Sequence, residues 1–210
     1  MLDVASISLS GTEHPYEDRV LVDKKLGLFA IADGVTHSTH GSGAVAAELA
    51  LRLLHDYITA DVTEVIMMVH QTMIREREND RTLGETTLTV ASVRDDCLKV
   101  GNIGDSPAYL VHGGMMRSMF TADTNSMGYI TQVIGHPENI RVHTREAKLR
   151  KRDMVIIASD GVGHVLNPSL VIPLTNLSSE LAKERVIQEA RRVTTGYDDD
   201  KSLIVLRVLG

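Results

Sequence analysis

The sequence has little from which a stapled, nucleic-acid-binding or membrane-spanning protein could be built. Its one cysteine, Cys97, cannot form an internal disulfide, which excludes a disulfide scaffold and leads to the expectation of a reducing, cytoplasmic setting. Tryptophan is absent, phenylalanine occurs twice, and 22 Lys and Arg stand against 28 Asp and Glu for a net charge of −6. Without aromatic platforms or a positive excess, the chain carries no footprint for nucleic acid. No apolar run approaches the roughly 20 residues that cross a bilayer, and Met1-Leu2-Asp3-Val4 lacks the basic region of a cleaved signal. No membrane partner is expected.

What the chain does have is a globular balance, 43% hydrophobic and 24% charged over 210 residues, enough for one compact domain spanning residues 1–210. Period-2 or continuous β-branched runs predict strands at 4–9, 19–23, 26–32, 86–93, 98–103, 108–111, 154–158 and 203–208. Helical spacing links Ala46, Leu49, Leu53 and Tyr57, then Val62, Ile66, Val69 and Met73, and later Ala182, Val186, Ala190 and Val193. Asp61 and Glu64 stand at capping-box spacing ahead of the second of these helices. Met67, Met68 and Met73 read as core filler. Strands joined by tight turns such as His112-Gly113-Gly114, with helices grouped in blocks, predict an α+β fold built on antiparallel pairing. The stretch 121–139 reads as a long surface segment carrying a short helix near Tyr129 to Val133.

Chemistry concentrates at strand ends. Leu28-Phe29-Ala30-Ile31-Ala32 runs into Asp33-Gly34, and Met154 to Ala158 runs into Ser159-Asp160-Gly161. Asp198-Asp199-Asp200 precedes the strand at 203–208, and Glu17-Asp18 precedes the strand at 19–23. Antiparallel pairing sets one strand's start beside another's finish, so these carboxylates can gather at one edge of the core, an arrangement suited to Mg²⁺ or Mn²⁺. Each Asp-Gly taken alone can equally close a turn.

Several longer motifs, in order, resemble the metal-dependent protein phosphatases of the 2C type (PPM), in their small bacterial or archaeal form. They are Glu17-Asp18, Ala32-Asp33-Gly34 followed by His40-Gly41, Gly84-Glu85-Thr86-Thr87-Leu88, Val100-Gly101-Asn102-Ile103-Gly104-Asp105-Ser106, Ser159-Asp160-Gly161-Val162 and Asp199-Asp200-Lys201-Ser202. The resemblance implies an α-β-β-α sandwich of two antiparallel sheets flanked by helices. It also implies a binuclear Mg²⁺ or Mn²⁺ centre in which Asp33 bridges both ions. Asp160 and Asp199 would bind one ion, while Glu17 and the Gly34 carbonyl hold the other, with Asp18 close by. Asp105 and Asp160 match the position of a third, weaker ion. The implied reaction is attack of a metal-activated water on phosphoserine or phosphothreonine in a protein substrate, itself the product of a cognate kinase. The alternative on the same fold is a pseudophosphatase that binds a phosphoprotein or partner without turnover.

Three positions depart from the family pattern. Glu13 stands where an Arg usually grips phosphate, Val35 stands where some members carry a histidine proposed as general acid, and Pro107 replaces a common Arg. His14, beside Glu13, is the first candidate for a replacement phosphate contact, with Arg19 and Lys24 behind it. Other motifs carry less. Gly41-Ser42-Gly43-Ala44-Val45-Ala46 fits a dinucleotide fingerprint but does not follow its strand at once. Ile31 occupies the place where a haloacid-dehalogenase nucleophile would stand, and His37 and His40 lack a third ligand. Cys97 has no evident activating base and reads as a small packing residue.

Overall fold

A computed structural model describes residues 1–36, 41–57, 61–193 and 196–209. Among these residues the chain runs β1 (Leu2–Leu9), β2 (Arg19–Asp23), β3 (Leu28–Ala32), α1 (Gly43–Tyr57), α2 (Val62–Asn79), β4 (Leu88–Arg94), β5 (Cys97–Ile103), β6 (Ala108–His112) and β7 (Met115–Ser118). It continues through β8 (His143–Lys148), β9 (Met154–Ala158), α3 (Asp160–Gly163), α4 (Pro168–Leu174), α5 (Ser179–Arg192) and β10 (Lys201–Val208). Two antiparallel sheets form, ordered β1-β10-β9-β6-β7 and β2-β3-β4-β5-β8. They stack face to face with α1 and α2 outside one and α3 to α5 outside the other, giving the expected α-β-β-α sandwich.

Strand alternation explains why the central strands are apolar throughout. In β3, Phe29 and Ile31 point between the sheets, where they join Ala91, Val100, Ile157 and Ile204. Leu28, Ala30 and Ala32 point the other way, onto Ala46, Leu54, Ile66 and Met73 of α1 and α2. In β9 and β10, Ile156, Ala158, Leu203 and Val205 face Ala182, Val186 and Ala190 of α5. Both faces of these strands are covered, so neither can be polar. Gly113 and Gly114, with φ of 57° and 79°, close a two-residue hairpin turn between His112 and Met115.

Several local expectations are corrected. Residues 129–133 are not helical: Thr124 bridges Ile130, Thr86 bridges Ile134, and the Thr131 amide donates to the Asp123 carbonyl at 2.7 Å. The β-branched residues there find extended partners instead of helical ones. Strand β8 and helix α4 were not foreseen. Asp61 caps α2 through the Thr63 amide at 2.9 Å, and its other oxygen receives Lys99 Nζ at 2.7 Å, so among the described residues the cap rests on the aspartate without the expected reciprocal glutamate. Met73 is fully buried whereas Met68 is 42% exposed, and Cys97 is exposed, not packed.

Register places the strand ends that matter at one end of the sandwich. Arg19 pairs with Ala32, setting Asp18 and Asp33 on adjacent strands. Leu203 pairs with Ala158, so the residues before β10 and after β9 leave the first sheet together. Leu88 pairs with Ile103, which brings the turn carrying Asp105 to the same end.

Candidate metal centre

Two glycine contacts let the backbone close around this end. A Cβ on Gly34 would lie 2.3 Å from the carbonyl carbon of Gly43, and one on Gly161 would lie 2.0 Å from the Asp200 carbonyl oxygen. The first contact seats the start of α1 on the Asp33-Gly34 turn. The second seats α3, and with it Asp160, against the Asp199-Asp200 segment. Only glycine allows either approach.

Asp33 is held through its main chain. Its amide donates to Thr87 Oγ1 at 3.1 Å, and its carbonyl accepts from the Thr87 amide and Thr86 Oγ1, each at 2.8 Å. The Gly-Glu-Thr-Thr motif thus orients the aspartate, and Glu85 anchors that motif by accepting from Arg77 Nη1 at 2.7 Å. Burial, then the neighbouring carboxylates of Asp18, Asp160, Asp105 and Asp199, push the Asp33 carboxyl well above the ordinary carboxylate range.

Asp18 is fully buried, and burial raises its pKa to about 6, with Asp200 and Asp199 adding to the shift and the Ser202 and Ser159 side chains opposing it. Asp160 keeps exposed surface, yet desolvation by surrounding protein, then Asp199, Asp105 and Asp18, raise it to about 7. Asp105 is raised by burial and by Asp123 and Asp199. These mutual effects show that Asp18, Asp33, Asp105, Asp160 and Asp199 form one electrostatic cluster.

The three consecutive aspartates before β10 have three different jobs. Asp198 pairs with Lys201 and Thr12. Asp199 Oδ1 accepts from His14 Nε2 at 2.7 Å. Asp200 turns into the protein, where its carboxylate accepts from the amides of Gly11 at 2.7 Å, Glu17 at 2.7 Å and Asp18 at 3.2 Å. It fixes the loop that delivers Glu17 and Asp18, a role no sequence signal separated from its neighbours. Asp123 has a similar role on the far side: it accepts from the Gly104 amide at 3.0 Å and from Gln132 Nε2 at 2.8 Å, and it pairs with His143 Nε2 at 2.7 Å. The segment after β7 is thereby tied to the Asp105 turn.

The donor set suits a hard divalent cation. Glu17 Oε1 accepts from the Gly43 amide at 3.1 Å, while Glu17 Oε2 and both Asp18 carboxylate oxygens are buried and make no well-formed hydrogen bond among the described residues; His14 Nδ1 stands 3.7 Å from Glu17 Oε2, and the Ser159 and Ser202 side chains stand near Asp18. Unpartnered buried carboxylate oxygens are costly, and coordination to a cation is one way to satisfy them. Among the described residues no three His, Cys, Asp or Glu side chains already enclose a single ion-sized point. The carboxylates are neighbours in a repelling cluster, not a closed cage.

His14 lies with Nδ1 2.8 Å from the Pro15 carbonyl oxygen and Nε2 on Asp199. Burial lowers its pKa, but the bond to Asp199, the Pro15 carbonyl and the charges of Asp199 and Asp200 outweigh this and leave it raised. Arg19 Nη1 donates to the Asp18 carbonyl at 2.8 Å, and Lys24 Nζ to the Val4 carbonyl at 3.4 Å. His37 and His40 lie outside the described residues. A pocket of about 520 Å³ between α2 and the turn at 135–137 contains none of the candidate ligands.

The sandwich and its acidic edge define a class, and comparison with known proteins agrees with it. Residues 10–194 match the family model of protein phosphatase 2C, so the chain belongs to that family and is a protein phosphatase. It is 25% identical over 208 residues to the serine/threonine phosphatase stp of Listeria innocua, an alignment covering 83% of this chain and 77% of that protein. The fold superposes on the serine/threonine phosphatase PstP/Ppp of Mycobacterium tuberculosis with a TM-score of 0.85 and 20% identity, covering 100% and 99% of the two chains. It also superposes on a PstP catalytic domain in complex with two manganese ions, with a TM-score of 0.82 and 22% identity over 100% and 99% of the chains.

Proposed function

We propose that the protein removes phosphate from phosphoserine and phosphothreonine side chains of a protein substrate, using two divalent ions, Mg²⁺ or Mn²⁺, at the acidic edge. The observation that carries this reading is the set of buried oxygens of Glu17 and Asp18 that make no well-formed hydrogen bond among the described residues, beside the mutually repelling Asp33, Asp160 and Asp199. The complex of a structurally similar PstP domain with manganese supports it. Asp33 would bridge the ions. Asp160 and Asp199 would hold one, and Glu17 with the Gly34 carbonyl the other, with Asp18 close behind. Asp105 and Asp160 would serve a third.

Divalent ions held there acidify water for attack on phosphorus and offset charge on the phosphoryl oxygens. The chain's own residues set the geometry. Thr86 and Thr87 lock the Asp33 backbone, Asp200 locks the loop of Glu17 and Asp18, and Gly34 and Gly161 allow α1 and α3 to approach. Phosphate would pass directly to water, with no phosphoenzyme. The substrate is a protein phosphorylated by a cognate kinase, and the chain acts in the cytoplasm as a single catalytic domain. Among the described residues no helix is long and apolar enough to cross a membrane.

The assay is hydrolysis of p-nitrophenyl phosphate and of a phosphothreonine peptide with Mn²⁺, with Mg²⁺ and with EDTA. Metal-dependent turnover abolished by EDTA is the expected result. A folded chain that binds the phosphopeptide but shows no turnover with either ion would instead establish the pseudophosphatase, the reading that Glu13 favours.

A further inference from the structure

The usual phosphate-gripping Arg is replaced by Glu13, and among the described residues Arg19, Lys201 and His14 near the acidic edge are already committed. Arg19 donates to the carbonyl of Asp18 at 2.8 Å and to that of Tyr16 at 3.4 Å, and its Nε lies 3.6 Å from Glu48. Lys201 Nζ is buried against Asp198 and the Asp199 carbonyl. His14 spends one ring nitrogen on Asp199 and the other on Pro15. A phosphate arriving here cannot rely on these three; the donors left beside Asp160 and Asp199 among the described residues are Tyr197 and His164, whose Nδ1 faces the Asp160 carbonyl at 3.4 Å.

Beside Asp160 and Asp199 lies a pocket of about 170 Å³, walled also by Gly161, His164 and Tyr197. Tyr197 is 53% exposed, and its ring stacks on His14 with centroids 6.1 Å apart and planes inclined by 28°. Among the described residues its hydroxyl makes no hydrogen bond. A phenol is neutral at neutral pH, so it stands next to the acidic edge as an O–H donor. A neutral donor has one advantage here: it neither pairs with the carboxylates as a cation would nor repels phosphate as Glu13 does.

We propose that Tyr197 is the phosphate-binding residue that stands in for the missing Arg, its hydroxyl donating to a phosphoryl oxygen in the pocket beside Asp160 and Asp199. The proposal rests on the phosphatase reading above and extends it to the substrate-binding side chain. Stacking on His14 fixes the ring, so the donor is held before the substrate arrives. A single phenol replaces a bidentate guanidinium, so phosphate is held by fewer bonds.

The test compares wild type with Tyr197→Phe, which removes the hydroxyl and keeps the stacked ring. With Mn²⁺ present, KM for p-nitrophenyl phosphate and the inhibition constant of inorganic phosphate should both rise about tenfold, the low end for one hydrogen bond to a charged oxygen. The kcat should change far less, because the bond is made in ground and transition states alike. The rise in melting temperature caused by Mn²⁺ should be the same in both proteins, which separates phosphate binding from damage to the metal centre. Calorimetric titration of inorganic phosphate into the Mn²⁺-loaded protein provides a readout independent of turnover. Weaker phosphate binding in Tyr197→Phe supports the assignment even in a chain that shows no hydrolysis, whereas absence of hydrolysis in wild type sinks only the phosphatase reading. Phosphate affinity and KM within twofold of wild type, or no phosphate binding by wild type at all, overturn the proposal.

Discussion

Gly34 and Gly43 pack backbone against backbone: a Cβ on the first would sit 2.3 Å from the second's carbonyl carbon, and a Cβ on the second 2.5 Å from the first's. The Gly43 amide also donates to Glu17 Oε1 at 3.1 Å, so one contact joins α1, the Asp33 turn and the Glu17 loop. Gly43→Ala must push these apart, at a cost of about 3 kcal/mol or more, as in other overpacked sites. Urea unfolding should show the loss, with metal-dependent activity falling further than stability alone accounts for. A variant as stable and active as wild type would show that the contact relaxes freely.

Asp33→Asn, Asp160→Asn and Asp199→Asn should each abolish metal-dependent hydrolysis while circular dichroism stays native. Asp33 should be the most damaging, since in the proposed centre it would serve both ions. Wild-type turnover in all three at saturating Mn²⁺ would remove the proposed centre.

Stability should depend on pH and metal together. Asp18, raised to about 6, and Asp160, raised to about 7, bind protons more tightly in the folded chain than in the unfolded one. The stability this confers is fully present below about pH 4 and is lost as pH rises through 6 and 7. For buried Asp18 the loss is on the order of 3 kcal/mol. His14, also raised, acts in the same direction. In EDTA the melting temperature should therefore fall between pH 5.5 and pH 8, and Mn²⁺ should restore it by binding the ionised carboxylates. A melting temperature indifferent to Mn²⁺ at pH 8 would count against a metal centre.

Asp200→Ala leaves three amides, those of Gly11, Glu17 and Asp18, without their shared acceptor. A loss of about 3 to 5 kcal/mol is expected, because buried donors are left unsatisfied. Asp200→Asn keeps an acceptor oxygen and should lose less. Both should weaken Mn²⁺ binding, measured by titration of the thermal shift, and the Asn variant should recover part of it. Equal Mn²⁺ affinity in the Ala variant would show that the Glu17 loop holds itself.

Glu13 is exposed and close enough to Tyr197 to raise its pKa. Its charge opposes an incoming phosphate dianion, so KM for small phosphoesters should be high. Glu13→Arg should lower KM more than it raises kcat, since the guanidinium would bind ground and transition states alike. A wild-type KM already in the low micromolar range and unchanged by Glu13→Arg would place the phosphate elsewhere.

The central strands were legible because both of their faces are buried, leaving runs such as Met154 to Ala158 with no polar residue to confuse the pattern. The carboxylates were legible because an Asp at a strand end has its position fixed by the strand. Strand β8 was not: His143–Lys148 lies at a sheet edge, mostly exposed, and its identity comes from pairing with β5. The stretch 121–139 was misread in part because its order comes from side chains, with Asn125 Oδ1 accepting from the amides of Met127 and Tyr129 and Asp123 gathering Gln132 and His143. Nor could spacing separate Asp198, Asp199 and Asp200, whose directions depend on where Lys201, His14 and the Gly11 loop lie in three dimensions.

Strand β10 pairs with β1 from Leu2 opposite Val208 to Leu9 opposite Lys201, and the segment entering it carries Asp199 and Asp200. During synthesis the five strands of the second sheet and helices α1 and α2 all leave the ribosome before β10 exists, so half of the sandwich can pair while β1 still lacks its neighbour. Asp33 and Asp18 then wait for Asp199 and Asp200. The proposed metal edge can assemble only when β10 slides between β1 and β9, so a nascent chain stalled short of residue 199 would hold no complete centre, and the onset of activity would double as a report that translation has reached β10.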